Sequence, residues 1–143
     1  MNKMNKIKYK VLEHSADILI EVEGETLGEL FRNAAVGMCQ EVLDGTQYYD
    51  KHNKGLLQEV GGVIIDNNME DELKGFLDGI KEQLYKRRFP AKIDFLGYCI
   101  YITWKPLKKK VTFCDEIKAV TLHMMKITRG EDGIWRTKVL FDV

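Results

Sequence analysis

Two stretches of this 143-residue sequence place oxygen and nitrogen donors where a turn or a chain end could present them: His14-Ser15-Ala16-Asp17 and the closing Phe141-Asp142-Val143. The first gathers an imidazole, a hydroxyl and a carboxylate within four residues. By itself it reads more readily as a turn in which Ser15 and Asp17 satisfy nearby backbone groups. The second sets a carboxylate one residue from the α-carboxylate, in a place where chains ordinarily fray. The usual enzyme signatures are missing: there is no G-x-x-x-x-G-K, no G-x-G-x-x-G, no H-x-x-x-H and no G-x-S-x-G. Cys39, Cys99 and Cys114 are odd in number and lack C-x-x-C spacing, which argues against a disulfide framework and a zinc knuckle. Cys114 has His123 nine residues on, but without a third group to orient the pair it reads as a small apolar filler, not a nucleophile.

Those residues must be positioned by elements that the hydrophobic pattern predicts. Leu27, Leu30, Phe31, Ala34, Ala35, Met38 and Val42 fall on one helical stripe, with Thr26 and Glu29 as a capping box and Gly45 as a left-handed stop. A second helix follows Asn68 as N-cap, with Glu70, Asp71 and Glu72 at its positive end and a stripe of Leu73, Phe76, Leu77, Ile80 and Leu84. Gly75 and Gly79 inside it each cost about 1 kcal/mol relative to Ala, so packing must hold it. Alternation with period two marks strands near Ile7 to Val11, Ile18 to Val22 and Tyr98 to Trp104. Further strands are expected at Val60 to Ile65, Ala91 to Leu96, Ile117 to Ile127 and Ile134 to Phe141, the last two joined through Arg129 to Gly133. Residues 44 to 59 read as a surface loop. The order ββαβα followed by about four strands predicts an α+β two-layer sandwich, a mostly antiparallel sheet with both helices on one face.

Length bounds the chain to a single domain over residues 1–143, and 45% apolar against 31% charged residues supplies a packed core. No apolar run reaches a membrane span and the N-terminus lacks a signal-peptide pattern, so a cytoplasmic protein with no membrane partner is expected. The net charge is zero, yet residues 13 to 44 carry eight acids against Arg32 alone, and residues 86 to 110 carry eight bases against Asp94 alone. Two such segments either steer a partner or face each other in the fold. The basic stretch, with Tyr98, Tyr101 and Trp104, allows a direct RNA-binding module through residues 86–110. Alternation argues against a single aromatic platform there, because Tyr101 falls on the face opposite Tyr98 and Trp104, and the latter two read as core.

Taken in order, Leu12 to Asp17, Gly24-Glu25-Thr26-Leu27 opening a helix with Asn33-Ala34-Ala35, Glu116 to His123, Asp132-Gly133 and Val139 to Val143 form a pattern that resembles the archease family. The chain departs from it at Ser15, Leu122 and the Gly75 to Ile80 stretch. The resemblance implies an accessory protein without chemistry of its own. Such a protein activates an RtcB-type RNA ligase, promoting its guanylylation and multiple turnover in tRNA splicing and RNA repair, and meets RNA only indirectly. It also implies a divalent cation, Ca²⁺ by preference, on Asp17, Asp142 and the main-chain oxygen of Val143. Lys118 matches the family lysine implicated in activating the ligase. Hard oxygen donors suit Ca²⁺ or Mg²⁺ better than zinc or copper, and His14, a poor calcium ligand, is expected in a supporting hydrogen bond.

Overall fold

Thr26 starts the first helix as its spacing predicts: its hydroxyl accepts from the amide of Glu29 at 3.0 Å, the first half of a capping box. The computed structural model describes residues 9–14, 16–45, 47–52, 57–63 and 68–143, the side chains of 13, 14 and 57–63 excepted. In chain order the elements are β1 (Tyr9–His14), β2 (Asp17–Gly24), α1 (Leu27–Val42), β3 (Leu43–Asp44), β4 (Leu57–Val63) and α2 (Met69–Tyr85). They continue with β5 (Arg88–Leu96), β6 (Cys99–Pro106), β7 (Thr112–Phe113), β8 (Ala119–Thr121), β9 (Thr128–Arg129) and β10 (Trp135–Asp142). The α+β class holds, and every strand pair is antiparallel.

The strands divide into two main sheets. One runs β1-β2-β10-β8 with β9 also beside β10; the other is β4-β6-β5; β3 and β7 make a small third pair. Helix α1 lies on β2 and its neighbours, α2 lies on β4, β5 and β8, and the helices meet through Phe31 and Phe76, whose ring centroids are 5.7 Å apart. Along β2, Ile18, Ile20 and Val22 are fully buried toward α1, and Val139 and Phe141 of β10 join them, as period-two alternation requires. In the smaller sheet Ile93, Ile100, Ile102 and Trp104 face inward. Gly24 makes the β2–α1 turn possible, because a Cβ there would fall onto the backbone of Leu30.

Several local expectations change. Gly45, at φ +137, lies beyond the helix end; α1 stops at Leu43, which turns extended so that β3 can pair with β7. Asn68 precedes α2 as expected but gives it no side-chain cap bond. The stretch 44 to 59 is not all loop: β4 begins at Leu57, and Tyr48 packs half-buried against the core. Val60 to Ile65 is a strand as far as Val63, and residues 64 and 65 lie outside the described residues.

One further change bears on function. Ile117 to Ile127 is a strand only at Ala119–Thr121, because helix side chains take the amides at its two ends. The amide of Ile117 donates to the Tyr85 hydroxyl at 2.6 Å, and that of Ile127 donates to the Glu70 carboxylate at 2.8 Å. Between them Met125 donates back to Leu122 and Met124 sits at φ +66, so the chain turns.

Candidate functional site

Strand β2 begins at Asp17, β10 ends at Asp142, and the two residues are direct partners across the ladder. Their neighbours Ile18 and Phe141 are also partners and point into the core, so alternation turns both carboxylates to the opposite face. Directly opposed side chains stand about 4.5–5.5 Å apart at Cβ. Asp142 is exposed and Asp17 half-buried at the mouth of the β1–β2 turn. The row continues through Ala119 of β8, and the amide of Lys118 donates to the main-chain oxygen of Asp142 at 2.7 Å.

That bond fixes Lys118 beside the carboxylate pair while its side chain stays exposed. Helix α2 braces the same point from behind. The Tyr85 hydroxyl accepts from the Ile117 amide and donates to the Ile117 carbonyl at 3.3 Å, and Lys81 Nζ donates to the carbonyl of Lys118 at 3.5 Å. Asp17, Asp142, Val143 and Lys118, which come from opposite ends of the sequence, thus share one corner of the larger sheet. The backbone of His14 pairs with Ile18 next to them; its side chain, and all of Ser15, lie outside the described residues.

Two like charges facing across a strand pair repel, and a cation between them reverses the sign of that interaction. The donor chemistry fits a hard ion: two carboxylates with main-chain oxygens beside them, a set in which Ca²⁺ or a partly hydrated Mg²⁺ completes its shell with water. Among the described residues no cluster of three or more His, Cys, Asp or Glu side chains stands ready for a metal. Coordination here would therefore rest on two carboxylates, main-chain oxygens and water.

The other sequence candidates separate from this corner. Cys39 is fully buried, and burial pushes its thiol up to about 12. Cys114 is exposed, contrary to the apolar filler expected, with its Sγ donating to the carbonyl of Glu41 at 3.4 Å. Its pKa is raised, first by partial desolvation and then by Asp115, which disfavours the thiolate a nucleophile needs. Trp104 is core as expected, but Tyr98 is 67% exposed at the tip of the β5–β6 hairpin, because Gly97 at φ +62 turns the chain there before alternation resumes.

Sequence reasoning missed one assembly. Tyr48 and Tyr49 close on Phe89 with centroid distances of 5.1 and 5.4 Å, and Lys105, the ladder partner of Phe89, lies 5.2 Å over the Tyr49 ring. The signal was the aromatic pair at 48 and 49, which looks like loop until β5 and β6 supply the surface beneath it.

Comparison with known proteins agrees with this architecture. The sequence profile of the Archease protein family matches residues 9–143. Protein archease of Thermotoga maritima is 27% identical across 93% of this chain and 98% of its own length, and that of Thermoplasma volcanium is 29% identical across 94% and 98%. The crystal structure of the Thermotoga maritima archease superposes with a TM-score of 0.69 at 24% identity, covering 94% of this chain and 96% of the other, which bears on the fold.

Proposed function

This chain belongs to the archease family, and we propose that it acts as an accessory protein that activates an RtcB-type RNA ligase, with a divalent cation held at the Asp17 and Asp142 corner. The observation that supports this reading is the convergence of both family-like ends of the sequence on one row of the larger sheet, with Lys118 tied to Asp142. Asp17, Asp142 and the main-chain oxygen of Val143 would hold the ion, Ca²⁺ by preference. A bound ion would offset the repulsion between the two carboxylates that the β2–β10 ladder holds opposite each other. Lys118 presents an exposed ammonium from a segment that Tyr85 and Lys81 hold in place, which is what a residue reaching into a partner requires.

The work falls in RNA end-sealing, in tRNA splicing and RNA repair, and the protein itself turns over no substrate. A cytoplasmic setting follows from that role. No described helix is long and apolar enough to cross a membrane. The test is multiple-turnover sealing by an RtcB-type ligase from the same cell, with and without this protein. More product per ligase and more guanylylated ligase are expected. Lys118→Ala should fold normally, since its side chain is exposed, and lose the stimulation. A ligase indifferent to excess wild-type protein overturns the reading, and full stimulation by folded Lys118→Ala removes Lys118 from the role.

A further inference from the structure

We infer that the open end of the β5–β6 hairpin, with the 47–52 loop laid across it, is a binding surface for single-stranded RNA. The inference rests on a connected set of contacts. Arg88 pairs with Pro106 and Phe89 with Lys105 at that end of the ladder. Tyr48 and Tyr49 pack on Phe89, Lys105 lies over Tyr49, and Lys105 Nζ donates to the carbonyl of Lys51 at 3.3 Å. The next turn joins them: the amide of Lys108 donates to the carbonyl of Tyr48 at 2.9 Å. Arg87, held at φ +63, donates to the carbonyls of Lys108 and Val111 at 2.8 and 3.1 Å. Lys109 and Lys110 extend this turn into solvent.

The charge at this place is unbalanced. Lys51, Arg87, Arg88, Lys105, Lys108, Lys109 and Lys110 form no ion pair with any described residue, whereas Lys86 and Lys92 at its margins pair with Glu82 and Asp94. Carbonyls and Gln47 or Gln83 take the hydrogen bonds of several of the seven and leave their charge in place. Asp50 is the acid within the loop, where it accepts from the amide of His52 at 2.9 Å, and Glu41 at the end of α1 and Asp44 of β3 bear on Tyr48 from the other side of the cluster. A row of uncompensated cations around an aromatic cluster suits a chain that is anionic along its backbone and carries flat bases, because phosphates neutralise the cations and bases stack on rings. An acidic peptide would use the cations and leave the rings without a role.

Lys105 supplies the exchange that opens the platform. A cation over a ring at an exposed site is weakly held, so a phosphate arriving beside Lys51 draws the Lys105 ammonium off Tyr49 and frees that face for a base. The choice of RNA over DNA rests on the proposed role beside an RNA ligase; the surface itself does not.

The test measures the isolated, full-length protein against a fluorescein-labelled twelve-nucleotide oligouridine by anisotropy, with no ligase present. It therefore fails or succeeds apart from ligase activation. Neutralising about four phosphates predicts a log–log salt slope near −3, so affinity should fall roughly fifty-fold between 50 and 200 mM salt. The double variant Lys109→Glu and Lys110→Glu, confined to an exposed turn, should weaken binding at least tenfold. Tyr49→Leu should weaken it several-fold without changing the salt slope, and Tyr49→Phe should restore it. Absence of binding at 50 mM salt overturns the proposal. So does equal affinity for polyglutamate with no effect of Tyr49→Leu, which would make this a docking surface for an acidic protein, and so does tighter binding of the matching deoxyoligonucleotide.

Discussion

The acidic segment 13 to 44 and the basic segment 86 to 110 contribute their strands to different sheets, and they treat their charge in opposite ways. Glu21 and Glu23 of β2 are answered within their own sheet, by Lys10 at 3.7 Å and by Arg136 at 3.5 Å, and Arg136 also forks onto Asp132 at 2.8 Å. Only at the end of the ladder do Asp17 and Asp142 face each other with no cation of their own row between them. The basic end of the smaller sheet has no such internal answer. Among the described residues no ion pair joins residues 13 to 44 to residues 86 to 110, so the two segments do not neutralise each other across the fold. A strand pair disperses charge by placing opposite signs in register, whereas a hairpin end and its loops have no facing strand to do so. Residual charge therefore collects at the two places where ladders stop.

The harshest way to break the contrast is at the seam between the halves. Phe31 is 1% exposed and meets Phe76 where α1 and α2 touch, so Phe31→Ala should cost about 3–5 kcal/mol. If the sheets form one cooperative unit, urea unfolding monitored at Trp104 and Trp135 will shift together; separate transitions would show two independent halves.

Calcium should sharpen the acidic side alone. If it binds between Asp17 and Asp142, melting in calcium at a hundredfold excess over Kd should show about 2.7 kcal/mol of added stability. Asp17→Asn and Asp142→Asn should abolish most of that shift while keeping the metal-free fold. Equal shifts in all variants would place the ion elsewhere.

A smaller effect lies in the helix that braces the corner. Gly75 and Gly79 are exposed, and a Cβ at either meets nothing within 4 Å. Replacing each by Ala should stabilise α2 by about 0.5–1 kcal/mol. Thermal melts check it, and the calcium shift should be unchanged.

The smallest effect is the pH response of the β9–β10 hairpin. The hydrogen bond from Arg136, followed by the Ile134 amide, lowers the Asp132 carboxyl from 3.8 to about 2. A depressed folded value adds stability above the ordinary pKa and loses it as pH falls through that window toward 2. Amide protection at Gly130 and Gly133, taken relative to the intrinsic exchange rate at each pH, should fall there in the wild type, and Asp132→Asn should flatten the response. An unaltered profile would show that the pair is too exposed to matter.

Sequence alone determined the elements whose signal is local. The Thr26 cap, the α1 and α2 stripes and the alternation of β2, β6 and β10 are each written within a turn or two of chain, and they appear where their periods place them, with Tyr98 displaced into the turn before β6. Family resemblance named Asp17, Asp142 and Lys118, but spacing could not show that Asp17 pairs with Asp142, because strand partners from opposite ends of a chain leave no local period. Tertiary structure decided that pairing. It also decided that Ile117 to Ile127 would turn, since Tyr85 and Glu70 take the amides a continuous strand would need. The same cause gathered Tyr48, Tyr49, Phe89 and Lys105: each residue's neighbours in space are set by which strands align, and alignment is a property of the whole sheet.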